Sequence, residues 1–299
     1  MYTNNRRLAN GRRERGMGQY RRPDSLDEAL KVLSAGSWTL LAGGTDHFPA
    51  RVDRFSDEDI LDLTAIPPLR GITEMPDHWR LGALTTWTEL ADADLPPLFD
   101  GYRRAAREVG GRQVQNTGTL GGNLCNASPA ADGTPNLLAL DARVELTSAA
   151  GRRELGIPDF VLGNRRTARL PDEIVTALIV PKPAAATRSA FAKLGARRYL
   201  VISIVMIAAR LEIDGGRITR AGISVGACSA VPQRLPALEA RLVGQALSSR
   251  LRDLVAASDI AGLAPLDDVR GSAAYRRAAA VTLLRDTLAE LSQPSSEAA

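Results

Sequence analysis

The chain has 299 residues, 44% hydrophobic and 24% charged, enough for a well-buried core and, by length, for two domains more readily than one. Residues 1–16 hold five arginines and one acid, and their net charge of +4 equals that of the whole chain; a neutral body with a basic tail argues against a nucleic-acid partner. No apolar run approaches the roughly eighteen residues of a membrane-spanning helix, and Cys125 and Cys228 lack metal-ligand spacing, so the expectation is a cytoplasmic protein without membrane insertion or an iron–sulfur or zinc site of its own.

Residues 1–17 read as a disordered basic tail, polar and without apolar period. Leu26, Ala29, Leu30 and Leu33 then fall on one helical face. Ser25 with Glu28 predicts a capping box in front of that helix, and Gly36 its stop. Segments 38–41 and 60–63 predict short strands around a Gly43-Gly44 turn. Beyond Trp79 the pattern predicts shorter strands, a helix over 102–109, a glycine-rich loop over 118–122 and an apolar stretch over 137–140. Strands are expected over 142–147 and 174–180, the second stopped by Pro181 and Pro183.

The sharpest boundary is PKPAAAT, residues 181–187. Past it, 202–213 and 217–226 flank Asp214-Gly215-Gly216 as a hairpin. Helices are expected over 235–242, 247–257 and 273–291, the last with Ala280, Leu284, Leu288 and Leu291 on one stripe. A sheet followed by helices predicts a separate α+β domain, and residues 294–299 a frayed tail.

The usual catalytic constellations are missing from the sequence. His47 and His78 are the only histidines, and neither stands in a nucleophile–base pattern; HExxH, GxxxxGK[ST] and GxGxxG do not occur. His78, before Trp79 at a strand start, reads as a surface residue. Two glycine segments remain. The first is Leu41-Ala42-Gly43-Gly44-Thr45-Asp46, where glycines let backbone N–H groups approach a diphosphate without a Cβ in the way; an ordinary turn has the same look. The second runs from Gln115 to Asp132 as QNTGTLGGNLCNASPAAD. It lacks a hydrophobic period, so it does not read as core, yet it holds more hydrogen-bonding side chains than a linker needs.

Together, AGGTD and NTGTLGGNLCNASPAAD resemble the FAD-binding medium subunits of the xanthine dehydrogenase and carbon-monoxide dehydrogenase family, the molybdenum hydroxylases. The resemblance continues through 21–33, through 135–146 (taken as the family's strand after the second loop), and through Lys193-Leu194-Gly195 and Ile202-Ser203-Ile204-Val205. It ends with Asp268-Val269-Arg270-Gly271-Ser272 and Tyr275-Arg276-Arg277, and covers about residues 18–293. It implies an α+β chain: a vanillyl-alcohol-oxidase (PCMH)-type FAD-binding domain of two subdomains over 18–183, then a smaller C-terminal α+β domain over 188–293.

By the same resemblance Leu41, Ala42, Gly43, Gly44, Thr45 and Asp46 line the pyrophosphate and adenosine of a non-covalent FAD. Thr119, Gly122 and Asn123 meet the diphosphate, Cys125 and Asn126 lie near the ribityl chain and ring, and Asp132 hydrogen-bonds the cofactor. Val175 and Lys193 flank the isoalloxazine, where a lysine stabilises the anionic reduced form and raises the potential. His47 departs from the aliphatic residue usual in the family and is open between cofactor contact and space filling; Cys125 is likewise open between flavin contact and a plain buried thiol. A side chain added at Gly44 or Gly122 is expected to fill the diphosphate's space and spare the core. No catalytic residue and no metal ligand is implied. The function implied is electron transfer within an oxidoreductase, from iron–sulfur clusters on a partner to an external acceptor. The partners are a small 2Fe-2S subunit and a large molybdenum-cofactor subunit, in a dimer of heterotrimers. A stand-alone flavoprotein oxidase is the alternative, although no base or electrophile is convincingly placed for one; a scaffold without flavin fits poorly with two intact glycine segments. The substrate and the final acceptor stay open.

Overall fold

The computed structural model describes residues 18–51 and 58–293; the tails expected at 1–17 and 294–299 lie outside them. The chain opens with Tyr20–Arg21 (β1), Leu26–Ser34 (α1), Thr39–Leu41 (β2) and Ile60–Asp62 (β3). β1 and β2 pair in parallel with either side of β3, and Ala29, Leu30 and Leu33 of α1 pack onto Leu61 and Leu63. Only half of the expected capping box forms. Ser25 accepts from the Glu28 N–H at 3.4 Å, and the helix ends at Ser34 on a right-handed Ala35 rather than on a glycine at positive φ.

The second unit contains Ile72–Glu74 (β4), His78–Gly82 (β5), Trp87–Asp92 (α2), Asp100–Glu108 (α3), Arg112–Thr117 (α4), Leu120–Asn126 (α5) and Gly133–Ala139 (α6). It continues with Arg143–Ser148 (β6), Gly151–Gly156 (β7), Ile157–Phe160 (α7), Val161–Gly163 (β8), Arg166–Thr167 (β9) and Ile174–Pro181 (β10). An antiparallel sheet in the order β4-β5-β10-β6-β7 carries the helices on one face. β10 is central and buried along nearly its whole length, so its residues are apolar without alternation. Two expectations are corrected here. Residues 118–122 are not an open loop: Thr119 caps α5 by accepting from Gly122 N, and α5 buries Leu120 and Leu124 at i and i+4. Seven residues are too few to show a helical period. Likewise 137–139 belong to α6 and Leu140 caps it, so 135–146 is a helix end followed by a strand.

The third unit comprises Ala186–Leu194 (β11), Val205–Asp214 (β12), Arg217–Gly226 (β13), Gln233–Arg234 (β14), Pro236–Leu242 (α8) and Ala273–Ser292 (α9). β11 to β14 form one antiparallel sheet in chain order. Gly215 and Gly216, at φ +54° and +74°, make the two-residue turn between β12 and β13, with the twist a hairpin requires. α9 starts on Ser272, which accepts from Tyr275 N at 3.1 Å, and buries Ala280, Leu284, Leu288 and Leu291 against the sheet. β11 begins inside the PKPAAAT segment and has no counterpart in the sequence pattern. The strand expected from 202 begins at Val205. In place of a helix over 247–257 there are two 3-10 turns, Ser249–Leu254 and Ala257–Ile260; Asp259 takes the Ala256 N–H and the Arg241 guanidinium, which holds the chain in short turns.

The second and third units are joined by charge. Asp141, just beyond α6, accepts from Arg210 and Arg220 at 2.8 Å and from Arg234 at 2.6 Å. Arg210 is 1% exposed, so its charge is tolerated only with a partner. Burial pushes the Asp141 carboxyl up, but Arg210, Arg234 and Arg220 outweigh it and hold the group below the ordinary carboxylate range. Its contribution is therefore complete above the unfolded value of about 3.9 and is lost as pH falls through the lower folded value. Asp141→Ala is expected to cost about 3 kcal/mol in urea denaturation, the low end for breaking a buried pair because Glu212 stays beside Arg210. An unchanged midpoint would show that the joint does not depend on this carboxylate.

Candidate functional site

A cleft of about 690 Å³ opens between the β2 turn and α5, within the range of small-molecule and cofactor sites (about 300–1,000 Å³). Thirteen of the fifteen residues proposed from sequence line it: Leu41, Ala42, Gly43, Gly44, Thr45, Asp46, His47, Thr119, Gly122, Asn123, Cys125, Asn126 and Val175. Asp132 and Lys193 do not. They pair with each other across the second and third units, Lys193 Nζ 2.5 Å from Asp132 Oδ2, and Ser203 Oγ donates to Asp132 Oδ1 at 2.5 Å. Each side chain is 6% exposed. Burial pushes the Asp132 carboxyl up, while Lys193 and Ser203 pull it down. A lysine that deeply desolvated needs a counter-charge, and the carboxylate takes it before the cleft can.

The two glycine segments divide the work differently from the sequence expectation. In α5 the first amides are used internally: Leu120 N–H donates to Thr85 O at 2.9 Å, Gly121 N–H to Ala83 O at 2.8 Å and Gly122 N–H to Thr119 Oγ1 at 3.0 Å. In the β2 turn, by contrast, the N–H groups of residues 43–47 have no acceptor among the described residues. Backbone donors left unpaired beside a cleft are an anion cradle. α5 adds side chains instead. Thr119 Oγ1 accepts from Gly122, which leaves its own proton free to donate, and Asn123 borders the same space.

The glycines also differ in what they permit. A Cβ on Gly43 would run into the carbonyl of Thr117, so the two segments meet here backbone to backbone. Gly44 has φ +65°, and a Cβ on it would stand 2.7 Å from the Phe48 ring. A substitution there strains the fold itself, which corrects the expectation that Gly44 could change without structural cost. At Gly122 the neighbour is the Thr119 hydroxyl of its own cap, at 2.8 Å.

His47 stands edge-on to Phe48, ring centroids 5.0 Å apart, with Nε2 3.9 Å from Glu58. Burial, then the Arg51 charge, pushes its pKa down against the pull of Glu58, which leaves a neutral imidazole on the cleft wall. Burial pushes the Cys125 thiol up to about 11, so it stays protonated and weakly nucleophilic. His78 bonds Asp77 at 2.8 Å, at the start of β5 and away from the cleft.

Sequence reasoning missed the basic lining. Arg51, Arg165 and Arg169 all border the cleft, and Arg165 Nη1 donates to Asp46 Oδ2 at 2.5 Å and to Asn126 Oδ1. The signal available was the density of arginine in NRRTAR, residues 164–169. Arg51 is paired with Glu58 at 2.7 Å and Arg169 donates to the carbonyls of Leu170 and Glu173, so these arginines make a basic rim around the free N–H donors of the turn, which suit an anion. Among the described residues no group of histidine, cysteine, aspartate and glutamate could hold a metal ion.

The comparisons agree along nearly the whole chain. The family of FAD-binding domains in molybdopterin dehydrogenase matches residues 15–183, and the CO dehydrogenase flavoprotein C-terminal domain matches 190–291. The nicotinate dehydrogenase FAD-subunit of Eubacterium barkeri is 34% identical over 76% of this chain and 79% of its own. The glyceraldehyde dehydrogenase medium chain of Sulfolobus acidocaldarius is 31% identical over 86% and 92%. Among solved structures, reconstituted CO dehydrogenase from Oligotropha carboxidovorans superposes with a TM-score of 0.86 at 29% identity, over 93% of this chain and 98% of that one.

Gly43→Ala is expected to destabilise the chain by about 2 kcal/mol, the cost of forcing a methyl into a filled contact. The measurement is the thermal midpoint of the purified chain. A wild-type midpoint would mean that the two segments separate freely and the contact constrains nothing.

Proposed function

Because the chain belongs to the family of FAD-binding domains in molybdopterin dehydrogenase, we propose that it relays electrons from iron–sulfur clusters on a partner subunit to an external acceptor. It is an FAD-binding medium subunit of an oxidoreductase of the molybdenum-hydroxylase type. The observation that carries the reading is the β2 turn, whose residues line a cleft bordered by three arginines and whose N–H groups have no acceptor among the described residues. Bound FAD supplies chemistry in steps of one or two electrons, which suits a carrier between one-electron clusters and a two-electron acceptor.

In this reading residues 41–47 hold the pyrophosphate and adenosine, with Thr119, Gly122 and Asn123 opposite. Cys125, Asn126 and Val175 flank the ribityl chain and ring. Asp132 and Lys193 brace that wall from behind: Gly133, next to Asp132, packs against Asn123 and Trp87 of the lining. The cleft's own groups do not favour a stand-alone oxidase. His47 is neutral and close to Glu58, the Cys125 thiol is protonated, and Asp46 is bound by Arg165.

The relatives are medium chains and subunits of larger complexes. The partners proposed here are a small 2Fe-2S subunit and a large molybdenum-cofactor subunit, in a dimer of heterotrimers. Exposed apolar side chains in the third unit support a docking role: Tyr199, Leu200, Ile202, Leu266 and Val269, the last fully exposed. Two unpaired cysteines, Cys125 and Cys228, favour a cytoplasmic setting, and no described helix is long and apolar enough to cross a membrane.

Acid precipitation of the purified chain is expected to release free FAD, and an oxidisable N-heterocycle or aldehyde is expected to bleach the bound flavin only after the iron–sulfur and molybdenum chains are added. Bleaching by such a compound with this chain alone would replace the relay by a stand-alone oxidase.

A further inference from the structure

We propose that Arg165 is a clasp across the cleft, tying Asp46 on the β2 turn to Asn126 at the end of α5, and that this tie sets how slowly the cofactor leaves. The inference rests on the reading of the cleft as the FAD site. Arg165 sits in the two-residue turn between β8 and β9 with φ +58°, a region that side chains other than glycine, asparagine and aspartate seldom enter. Asn164, better suited to such a conformation, is the residue before it. An arginine held where glycine is the usual choice points to a use for its side chain.

The turn is pinned from below. Arg165 N–H donates to Ala127 O at 3.0 Å, and Ala127, itself at φ +47°, is the residue that ends α5. From that anchor the guanidinium reaches Asp46 with Nη1 at 2.5 Å and Nη2 at 3.4 Å, and Nη1 also donates to Asn126 Oδ1. All three residues line the cleft. The two segments therefore meet at Gly43 and Thr117 by backbone, and are tied at Asp46, Arg165 and Asn126 by side chain. The first contact cannot open without moving main chain. The second joins side chains about half exposed, screened by water and weak in isolation, as a fastener that must open and close requires.

The same arginine could instead turn onto the diphosphate, and charge distinguishes the two. With a clasp, Arg165→Ala and Asp46→Asn both remove the tie. With a direct contact to phosphate, Asp46→Asn frees the arginine and removes a repelling carboxylate, so it tightens binding.

The test is the release rate of FAD from the loaded full-length chain, followed by flavin fluorescence after dilution into excess apoprotein as a trap. Arg165→Ala and Asp46→Asn are each expected to speed release about fivefold. The double variant should release no faster than either single one, and Arg165→Lys should recover part of the loss. Thermal midpoints of the cofactor-free variants should stay within about 2 °C of the wild type, which separates a tie on the ligand from a general loss of stability. Slower release from Asp46→Asn, or unaltered release from Arg165→Ala, overturns the clasp. A wild-type chain that takes up no FAD fails differently, since it removes the reading of the cleft on which the clasp depends.

Discussion

At Gly43 the β2 turn passes so close to the carbonyl of Thr117 that no β-carbon can stand between them, and the cleft takes its form from that contact. It brings together two segments more than seventy residues apart in sequence and fixes how they face one another. Once they are so placed, hydrogen-bond accounting divides their roles. The amides that open α5 are spent on Thr85, Ala83 and Thr119, which makes α5 a rigid wall. Those of residues 43–47 are left for a ligand, and a row of unpaired donors is worth its cost only where an anion completes it.

The wall is held in turn from the third unit. Asp141 gathers three arginines from β12, β13 and β14, and Asp132 takes Lys193 from β11 together with Ser203. Both carboxylates flank α6, one before it and one after, so the helix behind Asn123 is tied at each end to the C-terminal sheet. Glu108 stands close enough to this seam for burial to push its carboxyl up while Arg104 and Lys193 draw it down. Charged groups this deep are tolerated because they are paired, and the pairing restricts how the two units can shift against each other.

What the cleft lacks is as informative as what it holds. Its imidazole is neutral, its thiol is protonated and its carboxylate is engaged by an arginine, so the lining is equipped to bind and orient. Under the proposed relay, substrate oxidation belongs to another chain, and the exposed apolar side chains of the third unit fit the neighbours that the proposal requires.

Where a signal lies within a few residues, the sequence by itself determined the outcome. The face of α1, the Gly215-Gly216 hairpin and the stripe of α9 all follow from spacing and side-chain type, and the two glycine segments carry the family resemblance although their conformations and roles came only with the fold. Tertiary structure alone decided the rest. Seven residues of α5 and the weakly patterned β11 take their conformation from the elements that cover them, because short segments bury too little by themselves to declare a period. Lys193 turns to Asp132, 61 residues away, and Arg165 to Asp46, 119 away, because the partner of a charge is chosen by desolvation and reach in the folded state. Neither quantity is written in the order of residues along the chain.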